Sequence, residues 1–217
     1  MPRDPLSRDV VVSTALEITS AKGLSALTMR ELAAQLDVTP MAVYRYVPNR
    51  DALVKLVADG IGALIHPEMN PTRPWDVDAR SWALEQRRVL RHHAGVAAWL
   101  VQNGPAGQEA YRLLDLLAGC LIRGGFGTSD VARGCAAIMS WTFTRVLVED
   151  AAEERAADGH QERSTAFLSK LTTISPHEHP GATDVGQEFF TLSMEEIFHS
   201  GLNAILDGLD RRRSAAH

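Results

Sequence analysis

Between Thr39 and Arg50 the chain reads Thr-Pro-Met-Ala-Val-Tyr-Arg-Tyr-Val-Pro-Asn-Arg, with no acidic residue. These side-chain types suit duplex DNA. Arg45 carries the planar fork that pairs bidentately with guanine, Pro40 and Met41 can touch a thymine methyl, and the hydroxyls of Tyr44 and Tyr46 can bond phosphates. Arg50 falls in the first turn of a following helix, where its charge and the free helix amides would hold one phosphate together. Chemistry of this kind needs a short helix that presents the whole set to a major groove.

The local signals supply such a helix. Ser7 caps a first helix with Val11, Ala15, Leu16 and Ile18 at three- and four-residue spacing, and Gly23 stops it in the left-handed conformation. Thr28-Met29-Arg30-Glu31 is a capping box that opens a second helix, Met29 to Leu36. Thr39 as hydroxyl cap and Pro40 at the first helical position start a third, which ends near Val47 because Pro48 follows. Asn49 caps a fourth, striped by Leu53, Leu56, Val57, Ile61 and Leu64. Helices two and three, separated by Asp37-Val38-Thr39, have the dimensions of a helix-turn-helix, with Leu32, Ala33 and Leu36 packing toward Val38, Val43 and Val47. Periodicity alone leaves an equal reading, in which these are two short packed helices with solvated faces.

Residues 67–74, with three prolines, form a connector. Longer helical patterns follow at Trp75–His93, Gly95–Val101, Gln108–Arg123, Ser129–Ala157 and Val185–Arg213. Residues 158–184 read as a loop with one helical piece over 164–171. Nine or ten helices are expected, with no strand alternation. The fold class is all-α: a three-helix unit with the helix-turn-helix (1–48), a connecting helix (49–66) and a larger helical bundle (67–217).

Composition narrows the function classes. The 217 residues carry a formal charge of −5 with 45% hydrophobic residues, an ordinary globular balance. Residues 1–50 hold six basic and five acidic side chains, a net of +1, so the other 167 carry −6. A positive surface on an acidic body still attracts a polyanion, because screening confines each charge to about 10 Å. Cys120 and Cys135 sit in apolar helical runs and read as packed hydrophobes. With no membrane-length apolar run and no signal-peptide core, the cytoplasm is the expected compartment.

The segment Val11–Leu64, notably AKGLSALTMRELAAQLDVTPMAVYRYVPNRDALV, resembles the DNA-binding domain of the TetR (tetracycline repressor) family of transcriptional regulators. The match includes the glycine after helix one, the Leu-Thr-x-Arg-x-Leu-Ala run, the tyrosine of helix three and Asn-Arg-Asp-Ala-Leu. Asp37 stands where the family has glycine, and aspartate tolerates the left-handed turn. Gly124-Gly125-Phe126 and Phe198–Arg213 resemble the ligand-binding domain of the tetracycline-responsive branch. The resemblance implies DNA contacts from Thr28, Arg30, Thr39, Pro40, Met41, Tyr44, Arg45, Tyr46 and Arg50. It also implies a homodimer on a palindromic double-stranded DNA operator and a small-molecule effector that releases a repressor.

By the same resemblance the effector pocket lies in the bundle. His66 falls at a ligand-contacting histidine of that branch, with Trp82, Gln86, Trp99, Met139 and Phe143 as further candidates beside Trp141. Trp82 replaces an amide that would bind a polar ligand, so tetracycline itself is not expected. Aromatic residues and methionine on long helices are more often core. The last helices, with Ser129–Val148, are expected to pack across a two-fold axis through Phe189, Phe190, Leu192, Ile197, Leu202, Ile205 and Leu206. Neither His92-His93 nor His177-Glu178-His179 has metal-ligand spacing, and no cofactor or metal is expected. No phosphate loop, nucleophile elbow or HExxH motif occurs, so an enzyme is not expected. The second reading is an all-helical small-molecule-binding protein or enzyme whose N-terminal unit binds no DNA.

Overall fold

Ser7 starts the first helix, its hydroxyl accepting the Val10 N–H at 3.2 Å. In the computed structural model, which describes residues 6–105, 107–159, 165, 169–171 and 173–215, α1 (Arg8–Lys22) leads through a 3-10 turn (Leu24–Ala26) to α2 (Met29–Leu36). Next come α3 (Pro40–Tyr44) and α4 (Arg50–Gly62). Val11, Ala15, Ile18, Leu32, Val43, Val47, Leu53 and Val57 are buried in one shared core. Asp37 ends α2 at φ 55, ψ 46, the left-handed turn expected of it.

Some local expectations are corrected. Gly23 has φ 76 and ψ 168, an extended region open essentially to glycine, rather than the left-handed helical cap. Thr28 accepts the Glu31 N–H at 3.0 Å, but the Glu31 carboxylate takes Lys22 Nζ at 2.6 Å, so the reciprocal half of the box does not form. The stripe of α4 reads Leu53, Val57, Ile61, Ile65: the chain tightens after Gly62, where Ile65 N–H donates to the Gly62 carbonyl, and Leu64 is left exposed.

The bundle consists of α5 (Trp75–Arg91), α6 (Val96–Asn103), α7 (Gly107–Arg123), α8 (Thr128–Ala157), α9 (Pro180–Thr191) and α10 (Met194–Ala215). Among the described residues there are these ten α-helices, the 3-10 turn, further helical residues at 165 and 169–171, and no strand. The long α8 is the spine, packed on α5, α6, α7 and α10, while α7 also packs against α4. Trp82 is fully buried and its indole N–H donates to the Leu113 carbonyl at 2.8 Å, joining α5 to α7. Trp141 N–H donates to the Phe198 carbonyl at 3.1 Å, joining α8 to α10.

The last stretch, expected as one helix, breaks at Leu192-Ser193. Ser193 Oγ accepts the Glu196 N–H at 3.1 Å and the Glu196 carboxylate accepts the Ser193 N–H at 2.8 Å, a complete capping box. The Ser193 hydroxyl, at 2.7 Å, and the Ser193 N–H both donate to the Glu196 carboxylate and hold that carboxyl below its ordinary range. Leu202 and Leu206, expected at a two-fold interface, are buried within the chain beside Phe198 and Leu209. The exposed apolar surplus lies instead on Val185, Phe189, Leu192 and Met194. Half of the piece expected over 164–171 lies outside the described residues, and residues 165 and 169–171 are helical.

Removing the Trp82 ring should leave a cavity and cost the hydrogen bond that joins α5 to α7. Trp82→Ala is therefore expected to lose about 3–5 kcal/mol in denaturant unfolding. A loss under about 1 kcal/mol, the scale of a surface change, would contradict this packing role.

Candidate nucleic-acid interface and effector site

The outer face of α3 holds side chains that the fold leaves unpaired. Thr39, Pro40, Met41 (73% exposed), Tyr44 (43%) and Arg45 all reach solvent. Thr39 begins α3 without the side-chain capping bond expected of its hydroxyl. Its hydroxyl is thus open to an outside acceptor. Among the described residues no acid pairs with Arg45 or with Arg30, exposed on α2. The nearest acid along the chain, Asp51, is held by Lys55 at 3.0 Å. Val43 and Val47 lie in the core beneath.

Two of the nine expected DNA-facing residues are engaged by the protein itself. Tyr46 is half-buried and its hydroxyl donates to the Leu6 carbonyl at 2.7 Å, fastening the start of α1. Arg50, expected to meet a phosphate, instead donates from Nε to the Leu27 carbonyl at 2.8 Å and from Nη2 to the Leu24 carbonyl at 3.0 Å. The Leu24 carbonyl already accepts the Leu27 N–H at 3.2 Å, and the guanidinium fork adds a charged donor there while also reaching the Leu27 carbonyl. Thr28 faces solvent as the α2 cap.

The same turn meets the bundle. Leu24 N–H donates to the Ala94 carbonyl at 2.8 Å, in the corner between α5 and α6. Gly95 occupies φ 86 there, and a Cβ on it would lie 3.3 Å from Leu24 Cβ. Asp150 on α8 accepts the Gly95 N–H at 2.9 Å, and burial raises its carboxyl above the usual range. Beside it Glu149, buried, takes Arg87 at 3.1 Å and Arg91 at 3.3 Å. A second junction lies along α4: Arg112 Nη2 donates to the Gly62 and Ile65 carbonyls, each at 3.0 Å, and Asp59 accepts the Glu109 N–H at 2.9 Å.

Five of the six expected effector residues lie on helices that pack together: Trp82 and Gln86 on α5, Trp99 on α6, Met139 and Phe143 on α8. Gln86 is buried and the last three are half-buried against the core. The one donor of Trp82 is engaged by Leu113. His66 stands apart, exposed, with its backbone N–H donating to Glu85 at 3.3 Å. Two surface clefts, of about 450 Å³ between Trp75, Arg123 and Arg213 and about 530 Å³ along Arg87, Arg88 and Arg91, are lined by none of the six. Burial pushes the Cys120 thiol up to about 12 and raises Cys135, which leaves both unreactive. Among the described residues no group of three His, Cys, Asp or Glu could hold a metal, and no helix is long and apolar enough to cross a membrane.

Comparison with known proteins places this geometry in context. Residues 11–57 match the family model described as bacterial regulatory proteins, tetR family, and residues 67–213 match the tetracyclin repressor-like C-terminal domain. The chain is 34% identical to the HTH-type transcriptional repressor DrrR1 of Streptomyces coeruleorubidus, over 96% of this chain and 79% of that one. It is 28% identical to an HTH-type transcriptional regulator of Saccharopolyspora erythraea, over 66% of this chain and 61% of that one. The structure superposes on apo ActR from Streptomyces coelicolor with a TM-score of 0.88 at 25% identity, covering both chains fully. ActR in complex with actinorhodin gives 0.83 at 26% identity, covering 95% of this chain and 96% of that one.

Two substitutions test which of the two arginines the fold itself uses. Arg50→Ala should cost about 1–3 kcal/mol of stability, because two carbonyls lose a charged donor, whereas Arg45→Ala should stay within about 0.5 kcal/mol. Equal denaturation midpoints for the two variants would contradict the assignment. Asp150 binds its proton more tightly folded than unfolded, so its contribution to stability falls as pH rises through the window between the two pKa values and is flat above it. Asp150→Asn keeps an acceptor for Gly95 without the buried charge. Its stability relative to the parent should therefore improve as pH climbs from about 4, and a pH-independent difference would contradict this.

Proposed function

The chain belongs to the TetR family of bacterial transcriptional regulators, and from that premise we propose that it acts as a homodimeric repressor whose grip on a palindromic operator is released by a small molecule. The carrying observation is the open α3 face, where Thr39, Met41, Tyr44 and Arg45 stand exposed with no acidic partner. Arg45 reads guanine, Pro40 and Met41 meet thymine methyls, and Thr28, Arg30, Thr39 and Tyr44 hold the backbone. Arg50 and Tyr46 act indirectly, by fixing the turn and the first helix that support α3. Together with α4 as lever, residues 1–48 form the reader and 67–217 the effector and dimer unit, working in the cytoplasm.

One helix of five residues offers few base contacts, and a two-fold dimer doubles them on a palindrome. The outward faces of α8 and α10 supply the four-helix contact, with the exposed Phe189, Leu192 and Met194 adding apolar area. The effector enters among α5, α6 and α8, with Gln86, Trp99, Met139 and Phe143 around it and the Trp82 ring as a wall. DrrR1 is named as a repressor and ActR is crystallised with actinorhodin, which supports release by a ligand. Release requires that the ligand bind one arrangement of the bundle better than the other. His66, on the surface at the end of α4, contributes a peripheral contact at most.

On promoter DNA, Arg45→Ala is expected to weaken binding by about 1–3 kcal/mol per half-site and to reduce the preference over random duplex. Fluorescence anisotropy on both DNAs checks this, and an equal loss on both would move Arg45 to the phosphates. Sedimentation equilibrium at micromolar concentration should return a dimer. A clean monomer would remove the two-fold reading.

A further inference from the structure

Three buried polar side chains line the core-facing stripe of α5 and its last turn: Asp78, Gln86 and His93. At 3.6 residues per turn, Asp78 and Gln86 fall within about 40° of Trp82. His93 continues the stripe in a tightened turn, where its backbone N–H donates to the Leu90 carbonyl at 2.9 Å. Asp78 is saturated, accepting from Asn70 N–H at 3.1 Å and Arg123 Nη2 at 2.8 Å. The other two are not.

Gln86 is 3% exposed and its carboxamide forms no hydrogen bond with the protein. His93 is 6% exposed, with Nδ1 2.8 Å from the Val89 carbonyl. A carbonyl only accepts, so Nδ1 carries the proton and Nε2 of the neutral ring presents a bare lone pair. No protein donor meets that lone pair. No protein group uses this hydrogen-bonding capacity, so two deeply buried side chains on one stripe offer it to a partner from outside the chain.

We propose that Gln86 and His93 are the two polar anchors of the effector, a flat, mainly apolar molecule that presents an O–H or N–H donor to His93 Nε2 and a second hydrogen-bonding group to Gln86. This rests on reading the chain as a ligand-released regulator. The seven-residue separation spans about 10.5 Å along the helix, so the two groups belong at opposite ends of a ligand of two or three fused rings. Met139, half-buried on α8, is the side chain most able to move aside for the rings. His93 directly precedes Ala94, whose carbonyl holds Leu24 of the reading unit. A donor bound at Nε2 therefore acts one residue from the junction, a place that His66 does not occupy.

A matched pair of three-ring probes tests this: 2,6-dihydroxyanthraquinone, with a donor at each end, and its dimethyl ether, with none. Binding is read by tryptophan fluorescence quenching of the full chain. The wild type should bind the dihydroxy compound at least about tenfold more tightly than the ether. His93→Asn retains an amide donor for the Val89 carbonyl but nothing at the Nε2 position, and should abolish the preference. Gln86→Leu makes the same comparison at the other anchor and decides the matter should His93→Asn not fold. Failure of the wild type to bind either probe, equal binding of both, or a preference that survives both substitutions would overturn the proposal. Retardation of promoter DNA by ligand-free protein is measured alongside. Preference without retardation leaves the anchors standing and removes the regulator reading; retardation without preference does the reverse.

Discussion

A backbone hydrogen bond from Leu24 N–H to the Ala94 carbonyl joins the DNA-reading helices to the bundle, and much of the arrangement follows from it. To make it, the chain must leave α1 through Gly23 at φ 76 and turn from α5 into α6 through Gly95 at φ 86. The carbonyl of the same Leu24 accepts Arg50, which fixes the start of α4 and so the seat of α3. The far end of α4 is held by Arg112. A helix fastened at both ends behaves as a lever, so a shift of the bundle is passed to α3 rather than absorbed between the two.

Charge is arranged to the same end. The body is acidic, with a formal charge of −5 for the whole chain, and many of its arginines are paired, as Arg87 and Arg91 are with Glu149. Pairing inside the bundle leaves little positive field there. Arg30 and Arg45 on the reading helices remain unpaired and exposed, which makes that end the attractive one for a polyanion at physiological screening. The structure thus separates arginines that hold the fold from those that face outward.

The helix-turn-helix was legible because its signals are local. Thr28, Asp37, Pro40 and Asn49 each act within four residues of themselves, and each sits where the pattern put it. The bonds of Arg50 and Tyr46 to the protein carry no local signal, because their acceptors lie 23 to 40 residues away in sequence. Ser193-x-x-Glu196 carries a readable helix start that an apolar run on both sides obscured. His93 was passed over beside His92 because adjacent helical residues point apart. Only the burial of one and the exposure of the other reveals which histidine faces the core. The indole N–H of Trp82 is taken by Leu113, an acceptor 31 residues away that no local pattern announces.

The central claim is that this chain reads a specific DNA sequence as a two-fold dimer through α3. Selection of bound duplexes from a random DNA pool by the purified protein tests it most directly. The account predicts enrichment of one sequence with two inverted half-sites centred about 10 base pairs apart or a multiple of that. A pool that stays random after repeated rounds, or that converges on a sequence with no internal two-fold symmetry, would contradict it.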